Sequence, residues 1–289
     1  VPRVALVTYD PRPEPSKDTD LPVLVEALRA AGAEAEAVFW DADVDWSGYD
    51  LAVIRSTWDY SWRAAEFTAW AERCGKATRL ANPAQVVRWN TDKRYLGELD
   101  RAGVPVVPTG YIAPGDPLSL PTDHEYVVKP TSGAGARYAA RYTPERQEDA
   151  VRQLERMHAE GLTAMVQPYM RGIDAGGERA LQFFGGRLLH ASRKRAVLSS
   201  GIAFDADKVA HPGLEPWIPT PAEVAVAERA LAAVPEAPEL LYARVDLVDG
   251  EDGQPRVMEL ELVEPNLFLF LHPGSLPRVV EAVLAAARR

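Results

Sequence analysis

Three carboxylates stand on two short alternating stretches, 243-ARVDLV-248 and 256-RVMELELV-263, joined by 249-DGEDGQP-255. Strand side chains alternate between faces, so Arg244 and Asp246 share one face of the first stretch, and Glu259 and Glu261 share one face of the second. A turn near Asp252 brings Asp246 roughly opposite Glu259. If the acidic faces coincide, three acids converge. Each then raises the cost of ionising the next, and a hard cation such as Mg²⁺ relieves the repulsion while leaving room for substrate phosphates and water. A solvated strand face is the plainer alternative. Arg244, two residues before Asp246, favours chemistry, because a guanidinium beside a metal-binding carboxylate suits a phosphorylated intermediate.

A second chemical signal is 125-EYVVKPTSGAGARY-138, where an apolar run ends in Lys129 and opens into Thr131, Ser132, Gly133 and Gly135. Successive backbone N–H groups in such a turn form an anion nest, and the two hydroxyls add donors. The order is not that of a Walker A loop, whose lysine follows its glycines. A surface turn after an edge strand is the competing reading. Lys93 lies upstream in 89-WNTDKRYLGEL-99, on an expected helix. The histidines His124, His158, His190, His211 and His272 show no metal-binding spacing, and no G-x-S-x-G elbow is present. The basic run 192-SRKRA-196 is either a solvated hairpin end or a clamp for phosphate or carboxylate.

These residues need elements to hold them. The first 60 residues alternate strand and helix, with strands over 3–9, 35–40 and 51–55 and a helix over 21–31 capped by Asp18, Thr19 or Asp20. That rhythm predicts a parallel sheet with flanking helices, without the glycine fingerprint of dinucleotide binding. A helix follows over 61–73, then one capped by Asn90 or Thr91 that carries Tyr95, Leu96 and Leu99 and ends at Gly103, then an extended 104–111. Beyond it the pattern is mixed: strands over 126–129, 137–142 and 164–169 with a helix over 144–160, a hairpin turning on Gly185-Gly186, a helix over 220–234, the acidic hairpin, and a closing helix over 276–289.

Composition narrows the function classes. The 289 residues carry 32 basic and 42 acidic side chains, a net charge of −10, which argues against nucleic acid as a partner. No uncharged run is long enough for a membrane span, and the start of the sequence lacks the apolar segment of a signal peptide. The lone Cys74 excludes an intrachain disulfide framework and a multi-cysteine metal site, and it fits a reducing cytoplasm. The oligomeric state stays open, a homo-oligomer included.

Lys93 in 90-NTDK-93, Lys129 in 127-VVKP-130, the small-residue loop 131-TSGAG-135 and the downstream acids occur in the order found in the ATP-grasp superfamily of carboxylate ligases, which the chain resembles over essentially its whole length. The resemblance implies a mixed α/β and α+β architecture: a Rossmann-like N-terminal domain (1–88), a central lobe with the glycine loop (89–167) and a C-terminal lobe with the metal-binding hairpin (168–289), ATP lying between the two lobes. It implies that Lys93, Lys129, Thr131, Ser132, Gly133 and Gly135 hold phosphates. It also implies that Gln167, Pro168, Tyr169 and Met170 line the adenine, and that Asp174 or Glu178 reaches the ribose region. Asp246 and Glu259 match the Mg²⁺ ligands, with Mn²⁺ as an alternative ion. Glu261 stands where asparagine is usual, leaving Asn266 as an outside candidate for the third ligand.

Within the superfamily, 53-VIRSTWDYSW-62, 190-HASRKRAV-197 and 259-ELELVEPNLFL-269 are most similar to the O-ureido-serine cyclo-ligase family of cycloserine biosynthesis. That similarity implies ATP-dependent phosphorylation of the carboxylate of O-ureido-D-serine, followed by ring closure through nitrogen with loss of CO₂ and ammonia. Arg244 would stabilise the transfer, and Arg55, Trp58, Tyr60, Arg179 and Arg193 would contact the small amino-acid substrate. An intermolecular amino-acid or dipeptide ligase, or a non-catalytic nucleotide-binding module, are the other readings of the same residues.

Overall fold

The computed structural model describes residues 1–133, 138–196, 198, 213–236 and 239–289. Its first layer is a four-stranded sheet in the order β2-β1-β3-β4, from β1 (Arg3–Thr8), β2 (Glu34–Phe39), β3 (Leu51–Ser56) and β4 (Arg79–Ala81), with all neighbours parallel. Helices α1 (Asp20–Ala30) and α2 (Ala64–Ala77) supply the crossovers. Residues 51–56 are buried without interruption, the pattern of a strand covered on both faces. Asp18 rather than Thr19 or Asp20 caps α1, its Oδ1 accepting the N–H groups of Asp20 and Leu21. The helix expected over 61–73 begins later. Residues Trp58–Trp62 form a 3-10 turn, held by the Tyr60 N–H donating to Thr57 O, and α2 starts at Ala64.

Helices α3 (Ala84–Asn90) and α4 (Tyr95–Arg101) replace the single helix expected to carry Lys93, which lies in the turn between them. The cap assigned to Asn90 or Thr91 does not form. The Asn90 amide instead donates to Leu260 O and accepts from Leu262 N, while the Thr91 hydroxyl donates to Arg88 O. Of the extended segment expected over 104–111, only β5 (Gly110–Ile112) is a strand.

The second sheet has the order β5-β8-β6-β7, with β6 (Tyr126–Pro130), β7 (Ala140–Tyr142) and β8 (Ala164–Pro168) paired antiparallel and α5 (Gln147–Ala159) packed on it through Ala150, Leu154 and Met157. After the short α6 (Gly172–Gly176) comes the third sheet, β11-β10-β9-β12-β13, built from β9 (Glu178–Phe184), β10 (Arg187–Lys194), β11 (Glu215–Trp217), β12 (Tyr242–Asp249) and β13 (Pro255–Glu261). Helix α7 (Pro221–Ala232) begins on a capping box in which the Thr220 hydroxyl and the Glu223 carboxylate satisfy each other's backbone N–H. The closing helix α8 (Leu276–Ala287) buries Val279, Val283 and Leu284 against Leu24 and Leu28 of α1 and against Phe184 and Tyr242, tying the first layer to the third. Each such side chain contributes roughly 1.5–3 kcal/mol by leaving water.

The outer edge of β13 has no strand beside it, yet its backbone is satisfied. Asn90 holds Leu260 O and Leu262 N, the Tyr95 hydroxyl accepts from Leu260 N, and residues 105–107 pair with Val257. Asn82 adds bonds to Tyr242 O and Leu262 O and accepts from Leu241 N. An edge strand covered in this way cannot slide. The side chains on β13 are therefore held in register with the turn that carries Lys93.

Candidate active site

The register of the third sheet builds the site. In the β12–β13 ladder Asp246 lies opposite Glu259 and Arg244 opposite Glu261. In the β12–β9 ladder Arg244 lies opposite Gln182 and Asp246 opposite Ala180, and in the β9–β10 ladder Lys194 lies opposite Glu178. One face of the sheet thus presents Glu178, Gln182, Lys194, Arg244, Asp246, Glu259 and Glu261. Carboxylate oxygens of Asp246, Glu259 and Glu261 fall within 4.8 Å of one another, the one such acidic group among the described residues. The convergence expected from alternation is present.

Cations surround these acids. Arg244 grips Asp246 with Nε–Oδ1 and Nη2–Oδ2 both at 2.8 Å and also reaches Glu261. Lys194 Nζ lies 2.7 Å from Asp246 Oδ2 and pairs with Glu178. Lys93 Nζ lies 3.1 Å from Glu259 Oε1 and donates to Gly133 O at 2.7 Å. The Lys129 ammonium, on β6, makes no hydrogen bond or ion pair among the described residues but feels Glu259, Glu178 and Asp246 electrostatically. Burial, with Lys93 beside it, lowers its ammonium pKa. Burial also opposes the charge of Lys93, but Glu259 outweighs it and raises that ammonium. Lys129 is the cation of this group short of a counter-charge.

The acids are not equivalent. Burial pushes all three up, but Arg244 and Lys194 pull Asp246 well below the ordinary carboxylate range, and Lys93 and Lys129 pull Glu259 down. Glu261 has only the shared Arg244, so burial and the crowding of Glu259 and Asp246 raise it to about 8. Near it, the buried Glu264 rises to about 7 through burial, while Lys93 and the Tyr60 hydroxyl pull the other way. Three converging carboxylates, a set of hard oxygens within 4.8 Å of one another, fit a Mg²⁺ ion. The Asn266 Oδ1 accepts the Phe268 N–H at 3.0 Å, and Glu261 is the third member of the acidic group.

The glycine loop begins next to this face. Thr131 N donates to Thr163 O, Thr131 O accepts from Lys93 N at 2.7 Å, and the Ser132 hydroxyl donates to Thr91 O. Residues 131–133 and the turn carrying Lys93 therefore form one unit. Gly135 lies outside the described residues. Further along, Gln167 donates to the Thr109 hydroxyl, Tyr169 N donates to Glu125 O, and the Tyr169 hydroxyl donates to Asp174 beneath the Arg141 guanidinium. Pro168 ends β8 and Met170 packs with Val107 and Val248. The two residues considered for the ribose region part here: Asp174 stays with Tyr169, whereas Glu178 turns to Lys194 on the acidic face.

The substrate residues expected from sequence also divide. Arg55, Trp58 and Tyr60 come to the rim of the acidic face through the segment after β13. Arg55 Nη2 donates to Pro265 O at 3.1 Å, Trp58 Nε1 donates to Glu264 O at 3.2 Å, and Tyr60 bonds the Glu264 carboxylate. Arg179 and Arg193 do not join them. Strand alternation sends both to the opposite face, where Arg179 pairs with Glu223 and Asp249, and Arg193 pairs with Glu215 over the Trp217 ring. Lys194 is the residue that the sequence reading missed. It belongs to the basic run singled out as a clamp, and counting alternation from Ser192 would have found it.

A stacked histidine pair closes one end of this face. The rings of His190 and His272 lie 3.9 Å apart, His190 between Ser275 Oγ and Leu267 O, and His272 against Ser192 Oγ. Burial lowers His190 to about 4, with His272 and then Arg278 contributing. Its folded-state value lies below the ordinary 6.5, so between those two pH values the unfolded chain takes a proton that the folded chain refuses. Stability is expected to be full above pH ~6.5 and to fall toward pH ~4, by up to about 3 kcal/mol from this residue. Urea melts of the wild type and of His190→Gln check it: the slope over that window should flatten in the variant, and an unchanged slope would assign the acid sensitivity elsewhere.

Comparison with known proteins gives three concordant matches. Residues 4–82 match the model of the D-cycloserine synthetase DcsG N-terminal domain. The chain is 42% identical over 279 residues to the cycloserine biosynthesis protein DcsG of Streptomyces lavendulae, covering 90% of this chain and 91% of that one. The crystal structure of D-cycloserine synthetase DcsG superposes with a TM-score of 0.86 at 36% identity, covering 99% of each chain. D-alanine–D-alanine ligase from Bacillus anthracis, solved in complex with ATP, superposes with a TM-score of 0.68 at 18% identity, covering 100% of this chain and 98% of that one. The fold is that of the ATP-grasp ligases. Among the described residues no helix is long and apolar enough to cross a membrane.

Proposed function

Because the chain belongs to the family of the cycloserine biosynthesis protein DcsG, we propose that it is an ATP-dependent ligase that activates an amino-acid carboxylate as an acyl phosphate and closes O-ureido-D-serine to D-cycloserine. ATP lies between the 89–167 and 168–289 lobes. The observation that carries this reading is the charged face of the third sheet, where an oxygen triad, a buried arginine and two lysines from a separate lobe converge.

Lys93, Lys129 and the 131–135 loop hold the phosphates. Gln167, Pro168, Tyr169 and Met170 line the adenine, with Asp174 on the ribose side. Asp246, Glu259 and Glu261 hold Mg²⁺, which when bound neutralises oxygens of the transferring phosphoryl group. Arg244 is fixed by Asp246 and Glu261, so its remaining N–H groups are aimed before the substrate arrives and cost no reorganisation during transfer. Activation is needed because a carboxylate is a poor electrophile. Once the acyl phosphate forms, a nitrogen of the same molecule attacks the carbonyl carbon, the C–N bond forms and inorganic phosphate leaves. Removal of the carbamoyl group consumes one water and releases CO₂ and ammonia. Folding the substrate on itself supplies proximity that an intermolecular ligase must obtain from a second bound molecule.

The test is ADP release with ATP, Mg²⁺ and a panel of amino acids. Turnover of O-ureido-D-serine alone supports cyclisation. Release only after a second amine is added would replace it by intermolecular ligation, and no release with any acid would leave a nucleotide-binding module. Lys129→Ala is expected to raise the KM for ATP about 10-fold or more, the value of one charge-assisted hydrogen bond, with Lys129→Arg recovering part of it. Since the Lys129 ammonium bonds nothing else among the described residues, melting temperature should not fall. An unchanged ATP KM would remove this lysine from the site.

A further inference from the structure

The buried side-chain atoms with no hydrogen-bond partner among the described residues include these four: Asp18 Oδ2, Arg55 Nη1, Thr57 Oγ1 and Gln182 Oε1. All four residues are at most 6% exposed. Buried polar groups are almost always paired, so such orphans ask for an explanation. Three of these side chains are fixed by their other polar atom. Arg55 Nη2 donates to Pro265 O, Gln182 Nε2 to Asn266 O, and Asp18 Oδ1 accepts from Asp20 N and Leu21 N. The free atoms are therefore held in place by bonds already made.

Their position relates them to the reacting centre. Gln182 is the cross-strand neighbour of Arg244, and both donate to Asn266 O. Arg55 grips the adjoining Pro265 from the first layer, and Asp20 accepts the N–H groups of Leu269 and Phe270 from the same side. Thr57 precedes Trp58, which donates to Glu264 O. Gln182 thus stands beside Arg244, while Asp18, just before α1, and Arg55 and Thr57, at the end of β3, come from the loop edge of the first parallel sheet that meets this segment.

The four groups offer two donors, one of them a guanidinium, and two acceptor oxygens, one of them a carboxylate. A ligand cation would meet Arg55, and a second ligand carboxylate would meet Asp18 and Asp20. A neutral planar group with one carbonyl oxygen and several N–H bonds meets neither penalty. We infer that these four residues form the subsite for a terminal carbamoyl group of the substrate, with Arg55 Nη1 and the Thr57 hydroxyl donating to its carbonyl oxygen and Gln182 Oε1 and Asp18 Oδ2 accepting its N–H groups. This assignment rests on the proposal that the chain cyclises O-ureido-D-serine with Arg244 acting at the reacting carboxylate.

Thr57→Val keeps the shape and removes only the hydroxyl. Calorimetric titration of the whole protein with Mg²⁺ and a non-hydrolysable ATP analogue should show O-ureido-D-serine binding about 10-fold more weakly to this variant. D-Serine, which lacks the carbamoyl group, should change less than about 2-fold on the same scale. Thr57→Ser should restore the difference, and Asp18→Asn should reduce it as Thr57→Val does. Equal weakening of both ligands, or no weakening of either, would overturn the subsite and leave the atoms to buried water. The two readings fail separately. Wild-type protein that binds the ureido acid with this Thr57 dependence but releases no ADP would sink the cyclisation and keep the subsite. Wild-type turnover with Thr57→Val and Asp18→Asn indifferent to the carbamoyl group would do the reverse.

Discussion

Glu259→Gln is expected to lower ADP formation by at least ~10³-fold, the scale of removing a preorganised electrostatic group from a phosphoryl-transfer site. Glu259 does two things at once: it contributes to the oxygen triad and it is the counter-charge that raises Lys93. The amide keeps an oxygen for Lys93 but carries no charge to share with a cation. The fold should tolerate the change, because β13 is held in register by Asn90, Tyr95 and Val107 rather than by Glu259. A steady-state assay at saturating ATP, with circular dichroism as the control for folding, is the measurement. Asp246→Asn should give the same loss of turnover. Rates within a few-fold of wild type in either variant would falsify the metal assignment.

Arg244→Met is expected to be the most destabilising single change at the site, at about 3–5 kcal/mol. Arg244 is 3% exposed and shares its guanidinium among Asp246, Glu261 and Asn266 O. Removing it leaves the fully buried Asp246 to Lys194 alone and the partly buried Glu261 without its ion-pair partner. Urea denaturation without Mg²⁺ would show the full loss. Adding Mg²⁺ should recover part of it, since the ion binds the folded state through the same acids. A loss below about 1 kcal/mol, or no effect of Mg²⁺ on the variant, would mean that the charges of this face are not coupled as the geometry indicates.

The acidic hairpin was legible in sequence because strand alternation is strict. Once 243–248 and 256–263 are taken as strands around a turn, Asp246 and Glu259 must fall near each other, and they do. The same rule, applied to 190–194, separates Lys194 and Arg193 onto opposite faces, and the ladders through β9 decide which of them meets the acids. That inference was missed because a run of three basic residues reads as one patch until faces are assigned. Lys93 was located by its order in the chain, but its local structure was not. Asn90 and Tyr95 look like helix residues, and only the presence of an unpaired strand edge decides that their side chains serve β13 instead.

The residue types, their order and the periodicity of the hairpins determined the superfamily, the meeting of Asp246 with Glu259 and the order of the two lysines, since these depend on local backbone geometry and on matching residues along the chain. The tertiary structure alone decided three things. It gathered the Glu261 carboxylate with those of Asp246 and Glu259 within 4.8 Å, because the β12–β13 ladder sets Arg244 opposite Glu261 and Asp246 opposite Glu259. It set Lys194 against Asp246, because two ladders, β10–β9 and β9–β12, bring residues about fifty positions apart to one face. And it brought Arg55, Trp58 and Asp20 from the first layer to the segment after β13, through contacts spanning more than 200 residues. Sequence spacing carries no information about such contacts, whose partners meet only when two separately folded layers pack together.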